Sequence, residues 1–415
     1  MPIKMISATP ASAARSSIGY SSRSSDSIYF PKGRLSTVPR IAQLLGIFAI
    51  FTLPLLGCMS SGVGLEPLTS GNVNTGKGYS STVATFHPVS WGQLPGWSDD
   101  NLEQGWQAWL QSCKIINRPR EGVNWQSVCL KASQLNNPSN AGIRAYFEKN
   151  FQVYEIRHAR STGQYAAGSE RGLITGYYVP IIEGSRTREG KFQIPLYAYP
   201  AAWKKNKPSQ YPTRSELLSS GILKGSEIAW VEDPVEAASM QIQGSGQIRL
   251  QDGSTLKLGF AGTNEQPFKS IAQWLISRGE MTSGQASMQG IKAWAKKNPD
   301  RVEQMLSANP RFVFFKVMPS STLNDGVVGS INAPLTPGRS IAVDWKALPQ
   351  GAPVYLSTTY PNSSQLLQRL VFAQDTGSAI VGAVRADFYW GTGDAAGESA
   401  GRMKQPGKMW LLLPN

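Results

Sequence analysis

Carboxylates are the abundant acid–base groups of this chain, and three of them follow apolar, strand-like runs near the C-terminus. Asp344 ends SIAVD after the turn residues Pro337 and Gly338, and Asp375 sits in AQDTGSA. Asp387 sits in VRADFYWGTGD, between Arg385 and the aromatics Phe388, Tyr389 and Trp390. A carboxylate at the end of an apolar strand is costly to bury unless it is hydrogen-bonded, so any one of them could be a satisfied turn cap. Three within residues 344–387, the last beside rings able to stack on a sugar, point to glycan chemistry. An apolar wall raises a carboxyl pKa and keeps a general acid protonated near neutral pH. Hydrolytic glycosidases usually flank the scissile bond with two carboxylates. One suffices where a hydroxyl of the same sugar attacks its own C1. The acid first protonates the glycosidic oxygen and then takes the attacking hydroxyl's proton, and intramolecular attack adds a large effective molarity.

Other chemistries find little support. Two histidines, His87 and His158, and three cysteines argue against a His/Cys metal site and against a Ser-His-Asp triad. GSGQIRL is followed by no helix, so it fails the dinucleotide test, and no phosphate loop is present. The expectation is an enzyme without cofactor or metal. The net charge is +14. Six basic residues against Asp26 precede position 58, and removing them leaves about +9. Such a surplus favours an anionic partner or surface. Zinc-finger spacing, an RNP pattern and a long basic run are all absent, so no nucleic-acid partner is expected, and a wall polymer carrying carboxylates or an anionic membrane surface fits the surplus as well.

The elements that must position the aspartates are legible in outline. With 415 residues, 41% of them hydrophobic, the chain can build two domains and a tail. Residues 98–160 read as helical, with Ser98 as first N-cap and Leu102, Trp106, Trp109, Leu110 and Cys113 at helical spacing. A short helix carries Trp125, Val128 and Cys129. Another starts near Ser139, with Ile143, Tyr146, Phe147 and Phe151 on one face. From Gly172 the pattern turns to strands, and ASMQIQGSGQIRLQDGSTLKLGFAG reads as two alternating runs joined by Asp252-Gly253, a hairpin signal. Helices return at 268–278, 284–297 and 300–308, the last two capped by Ser283 and Asp300. From Phe312 short strands with Gly and Pro punctuation suggest a small barrel.

The N-terminus reads as an address. Residues 41–57, IAQLLGIFAIFTLPLLG, are uncharged and apolar, follow Arg34 and Arg40, and end at Leu55-Leu56-Gly57-Cys58. Cys after Leu-Leu-Gly resembles a lipobox, where the Cys is acylated. The alternative, a membrane-spanning anchor, meets a run slightly short for ~30 Å of hydrocarbon and interrupted by Pro54. The Gly/Ser-rich segment after Cys58 reads as a tether. Cys113 and Cys129 then form a disulfide in an oxidising compartment, or remain two buried thiols.

The motifs FHPVSWGQLPGW (86–97), GLITGYYVP (172–180), MQIQGSGQIRLQDGS (240–254), PFKSIAQWLISRGEM (267–281), NPRFVFF (309–315), LTPGRSIAVD (335–344) and residues 373–414 carry one resemblance. They resemble, in order from about residue 86 to the end, the membrane-bound lytic transglycosylase A (MltA) family. Asp344, Asp375 and Asp387 stand at the positions of its C-terminal three-aspartate domain. The resemblance implies a mainly β, α+β fold: a double-psi β-barrel domain with a smaller β-rich domain inserted and a glycan groove between them. It divides the chain into a signal segment (1–57), an anchored tether (58–82), a helical barrel part (83–180), an inserted domain (181–318) and a three-aspartate part (319–415). It implies a peptidoglycan lytic exotransglycosylase that forms 1,6-anhydromuramic ends, with Asp387 as acid and base and Asp375 as a supporting carboxylate. Tyr177, Tyr178, Gln243, Ser245 and Tyr389 are the substrate-binding candidates. A hydrolytic glycosidase and a non-catalytic glycan-binding lipoprotein are the alternatives. The implied partners are glycan strands, the outer membrane through Cys58 on its periplasmic side, and other wall-remodelling proteins. Phe260 and Phe268 stand where the family commonly has Tyr, and Glu265 where it has Gly.

Overall fold

The computed structural model describes residues 73–74, 79–319 and 326–415; the apolar run 41–57 and Cys58 lie outside them. Strands β1 (Val73–Asn74) and β2 (Ser80–Ser81) pair ahead of β3 (Ala84–Val89). Helix α1 (Glu103–Ile116), the hairpin of β4 (Pro119–Arg120) with β5 (Val123–Asn124), then α2 (Gln126–Ser133) and α3 (Asn140–Asn150) follow. Ser98 is not the first cap, because residues Trp97–Asp99 form a 3-10 turn. The start of α1 is satisfied from another helix: Leu102 N donates to Asn140 Oδ1 at 2.7 Å, and Asn140 N donates to Glu103 Oε1 at 2.8 Å. Ser139 does cap α3, accepting from Gly142 N. Phe151 leaves that helix and opens β6 (Phe151–His158), a strand that pairs with β3 and buries Phe151, Val153, Tyr154, Ile156 and His158.

The middle of the chain contains β7 (Gly172–Val179), β8 (Ile181–Ser185), β9 (Ile194–Tyr197), α4 (Ala201–Lys205), α5 (Arg214–Ser219) and β10 (Glu227–Val231). Next come α6 (Pro234–Gln243), β11 (Gly246–Leu250), β12 (Thr255–Thr263), α7 (Ile271–Ser277), α8 (Met288–Lys297), α9 (Val302–Ser307) and β13 (Val313–Val317). The stretch ASMQIQ is helical, against the strand reading. Asp233 caps α6, Pro234 occupies its first turn and Gly244 at φ 80 ends it, so local boundary signals outweigh the apparent alternation. The Asp252-Gly253 hairpin forms as expected, β11 pairing antiparallel with β12. Ser287, not Ser283, caps α8, and Asp300 lies in a 3-10 turn ahead of α9. Glu265 adopts φ 52, a left-handed conformation that glycine reaches without strain.

The C-terminal part supplies β14 (Ser340–Val343), β15 (Pro353–Thr359), β16 (Leu366–Asp375), β17 (Arg385–Thr392), α10 (Asp394–Arg402) and β18 (Lys404–Pro414). Helix α10 went unseen in the sequence because its Gly- and Ala-rich run offers little apolar periodicity. Eight strands form one sheet in the order β15-β16-β14-β17-β7-β18-β6-β3, and a β15–β18 pairing closes six of them into a barrel. Pairs β14–β16 and β17–β7 are parallel, and the other neighbours are antiparallel. Strands β8 to β13 form a second sheet, ordered β13-β12-β11-β8-β10-β9, whose edges meet at a bridge between Ala198 and Phe315. The chain thus makes the second sheet between β7 and β14.

The N-terminal helices dock on the barrel through an aromatic core. Trp109 is fully buried and stacks on Phe372 of β16, with ring centroids 5.9 Å apart. Burying a ring of this size contributes about 4–6 kcal/mol. Its Nε1 donates to the Tyr146 hydroxyl, which donates to Val128 O, so no polar atom of the pair is stranded. Two buried polar side chains set the register. Gln374 donates to Ala108 O and Ser112 Oγ of α1. Arg339 forms a bidentate pair with Asp100, its Nη1 and Nη2 lying 3.0 and 2.8 Å from the carboxylate. Cys113 and Cys129 join α1 to α2 in a disulfide with Cα atoms 5.2 Å apart, a loop closure contributing about 3 kcal/mol in the chain-entropy model.

Candidate active site

One row of residues crosses the barrel. Ala342 of β14 pairs on one side with Asp375 of β16 and on the other with Asp387 of β17, and Asp387 pairs in turn with Thr175 of β7. Side chains aligned across neighbouring strands share a face. The two carboxylates therefore stand two strands apart, with backbones roughly 10 Å from each other, and only a methyl group between them. Both border a cavity of about 670 Å³ whose lining comes from both sheets.

The two carboxylates are held unequally. Asp375 accepts four hydrogen bonds: Ser330 N at 3.0 Å, Ser330 Oγ at 2.8 Å, Thr376 N at 2.9 Å and the Tyr177 hydroxyl at 3.1 Å. Ser330 reaches it because Gly329 lets the loop press on β16; a Cβ there would stand 2.5 Å from Gln374 O. Asp387 accepts one hydrogen bond, from Thr175 Oγ1 at 2.6 Å. Burial raises both carboxyl groups above the usual aspartate range. For Asp375 the four donors oppose that rise. For Asp387 the Arg385 guanidinium and Thr175 oppose it, while the negative charge of Asp375 adds to it. Tyr177 is pushed far up by burial and by both aspartates, so it remains a donor.

Arg385, two residues before Asp387, is half-buried and lines the cavity. Its Nη1 donates to Ala386 O at 2.6 Å, and burial lowers its pKa. The opposite wall rests on Arg214, which bonds Gln241 of α6 and the carbonyls of Asn309 and Arg311. Burial brings its pKa down to about 10.

Of the sequence candidates, Asp387, Asp375, Tyr177, Gln243 and Ser245 meet at the cavity. Gln243 also accepts from Tyr178 N, tying α6 to β7. Tyr178 and Tyr389 do not line it. Alternation along β7 turns Tyr178 to the opposite face, where its ring packs over Gly397 of α10. Tyr389 is 2% exposed and packs beneath Tyr177, ring centroids 5.1 Å apart. Asp344 is also away from the cavity: Lys346 N and Gly382 N bond its two oxygens, making it a turn carboxylate. Thr175 and Ser330 are the functional side chains the sequence did not reveal, and Arg385, visible beside Asp387, was given no role there. Thr175 could have been found as the same-face neighbour of Tyr177, two residues earlier in the strand. Ser330 lies 45 positions from its partner, beyond any local signal. Among the described residues no group of three His, Cys, Asp or Glu could hold a metal ion.

Comparison with known proteins agrees with this geometry. Residues 173–316 match the MltA specific insert domain, and residues 339–413 match the 3D domain. The chain is 35% identical over 305 residues to membrane-bound lytic murein transglycosylase A of Escherichia coli (strain K12), covering 68% of this chain and 80% of that protein. Its fold is similar to that of the lytic transglycosylase LtgG of Burkholderia pseudomallei, at a TM-score of 0.56 and 48% identity, covering 80% of this chain and 95% of that one. It also matches E. coli MltA with bound chitohexaose, at a TM-score of 0.60 and 25% identity, covering 84% and 99%. With both domain models matched in order and the two key aspartates on one cavity, the chain belongs to the MltA family of membrane-bound lytic murein transglycosylases and is a peptidoglycan lyase.

Proposed function

We propose that Asp387 serves as the single acid and base in cleavage of the β-1,4 bond between N-acetylmuramic acid and N-acetylglucosamine. The observation that carries this reading is the unequal treatment of the paired carboxylates. Asp387, buried and with one hydrogen-bond donor, is the group favoured to hold a proton even against the pull of the Arg385 guanidinium. Asp375, with four donors, is the group favoured to stay ionised. Asp387 gives its proton to the glycosidic oxygen as the C1–O4 bond breaks. Positive charge develops on the sugar, and the Asp375 carboxylate faces it. The muramyl 6-hydroxyl then attacks C1, and its proton passes to Asp387. A 1,6-anhydro ring forms and the acid is regenerated without external water. Tyr177 and Ser330 orient Asp375, Gln243 and Ser245 offer polar contacts to the sugar, and Arg385 limits how far the Asp387 pKa rises. The bound chitohexaose of the E. coli relative is a β-1,4 glycan of the same ring type.

The presence of two buried carboxylates on one cavity favours one competitor, a hydrolase that uses the second carboxylate to activate a water or to form a covalent intermediate. Mass spectrometry of products from purified sacculi separates the two. Anhydromuramic ends support the lytic route, and reducing ends support hydrolysis.

Thr175→Val keeps the side-chain shape and removes the donor to Asp387. The variant is expected to raise the Asp387 carboxyl further and move the alkaline limb of the pH–rate profile upward. An unmoved limb would assign Thr175 to packing alone.

We assign the barrel domain to residues 83–180 and 319–415 and the inserted domain to 181–318. We also place the mature chain on the inner face of the outer membrane through acylated Cys58, followed by Met59 rather than by Asp, the usual inner-membrane retention signal. Among the described residues no helix is long and apolar enough to cross a membrane. Cys58→Ala is expected to release the enzyme into the soluble periplasmic fraction. Retention in washed membranes would contradict the lipid anchor.

A further inference from the structure

The barrel side of the cavity presents carboxylates and hydroxyls, and the facing wall differs from it. That wall includes β12, β13 and the turn after α6, and it carries Phe260, Arg311 and Lys316. Phe260 is 53% exposed and borders the cavity, which leaves its ring face open to a ligand. It stands at the bulge between Phe260 and Gly262, where the β12–β13 register shifts, and its ring lies beside Gly244. Lys316 pairs with Gly259 across the same two strands. The bare glycine leaves room for the Lys316 stem and Met318 to lie over β12; a Cβ there would be 2.7 Å from Met318 Sδ. Lys316 is exposed, and it has no hydrogen bond or ion pair with a described residue. Arg311 is half-buried, and its Nε donates to Gln266 O at 2.7 Å. Its two Nη groups have no partner among the described residues.

A cavity bordered by an exposed ring and by two cations with unused donors suits a ligand that joins a sugar face to a carboxylate. Neither cation has a part in the proton transfers at Asp387. The substrate class has the complementary chemistry. Each muramyl residue bears a lactyl arm that ends either in its own carboxylate or in a peptide stem with several.

We propose that Lys316 and Arg311 bind carboxylates of the muramyl arm while Phe260 supports the sugar, so that this wall selects anionic glycan over neutral glycan. The inference rests on the lytic reading of the same cavity and names the part of the substrate that its second wall recognises.

Lys316 is the residue to test, because its exposure makes substitution harmless to folding. Wild type, Lys316→Gln, Lys316→Glu and Lys316→Arg are compared on stem-bearing glycan strands and on the same strands stripped by an amidase, which keep only the lactyl carboxylate. Binding of chitohexaose, which has no carboxylate, is measured alongside. KM for the anionic strands is expected to rise about fivefold in Lys316→Gln and further in Lys316→Glu, an exposed pair being worth at most a factor of this order. Lys316→Arg should restore it, while kcat and chitohexaose affinity stay unchanged. A rise confined to stem-bearing strands assigns the peptide carboxylates, and an equal rise on stripped strands assigns the lactyl carboxylate. Unchanged KM in Lys316→Glu on both polymers overturns the proposal, as does an equal loss of chitohexaose affinity. Should wild type release no anhydro product from either polymer, the lytic reading fails by itself. Strand binding by Lys316→Glu then still decides the role of the wall.

Discussion

Asp387→Asn is expected to lower release of 1,6-anhydro products by about 10²–10⁴-fold, the usual range for general acid–base help. The amide keeps the shape and can still meet Thr175 Oγ1, but it can neither donate the proton to the leaving oxygen nor accept one from the attacking hydroxyl. Glycan binding and the fold should survive. Asp375→Asn should cost less, because that carboxylate orients and stabilises and transfers no proton. The pH dependence follows from the raised Asp387 carboxyl: the acid form is lost, and the rate falls, as pH climbs through its folded pKa. Stability runs the same way. A carboxyl whose pKa rises on folding contributes stability fully present below its unfolded pKa, and loses it as pH rises through the folded pKa. At neutral pH, above the unfolded aspartate pKa, a buried Asp387 costs stability whether it takes up a proton or stays ionised and desolvated, and Asp387→Asn should melt at the same temperature as wild type or higher. The paired measurement is product mass spectrometry with a melting curve at pH 7. Activity within tenfold of wild type, with Asp375→Asn dead, would exchange the two roles. Activity in both variants would redirect the search to Asp394 and Glu398.

Breaking the Arg339–Asp100 pair is expected to destabilise the enzyme by about 3–5 kcal/mol, because either partner left alone is an uncompensated buried charge. Arg339 and Asp100 have side chains 2% and 3% exposed, so solvent screens neither. Asp100 also accepts from Leu370 N at 2.7 Å, and Arg339 donates to Leu370 O and Asn101 O. One salt bridge therefore fastens the segment before α1 to β16 of the barrel, within the sheet that holds both active-site aspartates. Asp100→Asn and Arg339→Met should each lower the melting temperature by on the order of 10 °C. The double substitution Asp100→Leu with Arg339→Met should recover part of the loss, since no charge then stays unpaired. Losses below about 1 kcal/mol in both single variants would show that water reaches the pair.

Helix α6 and strand β6 show where local pattern misled. In both, boundary residues settled the matter: Asp233, Pro234 and Gly244 frame a helix around residues that alternate like a strand, and Phe151 begins a strand straight after a helical face. The hairpin at Asp252-Gly253 and the barrel-forming C-terminal strands were readable, because turn chemistry and short apolar runs punctuated by Gly and Pro are short-range signals.

The sequence by itself determined which groups could do chemistry. With so few histidines and cysteines, carboxylates were left, three of them after apolar runs, and the resemblance to the MltA family implied which of them is the acid. Only the tertiary structure decided how those groups differ. Asp344, Asp375 and Asp387 look alike in their strands, yet one caps a turn, one accepts four hydrogen bonds and one accepts a single bond. Likewise Tyr177 faces the cavity, while Tyr178 and Tyr389 turn away from it. The reason is physical. A side chain's protonation and its contacts depend on burial and on neighbours across the sheet, and parallel pairing brings those neighbours from positions as distant as Thr175 and Asp387.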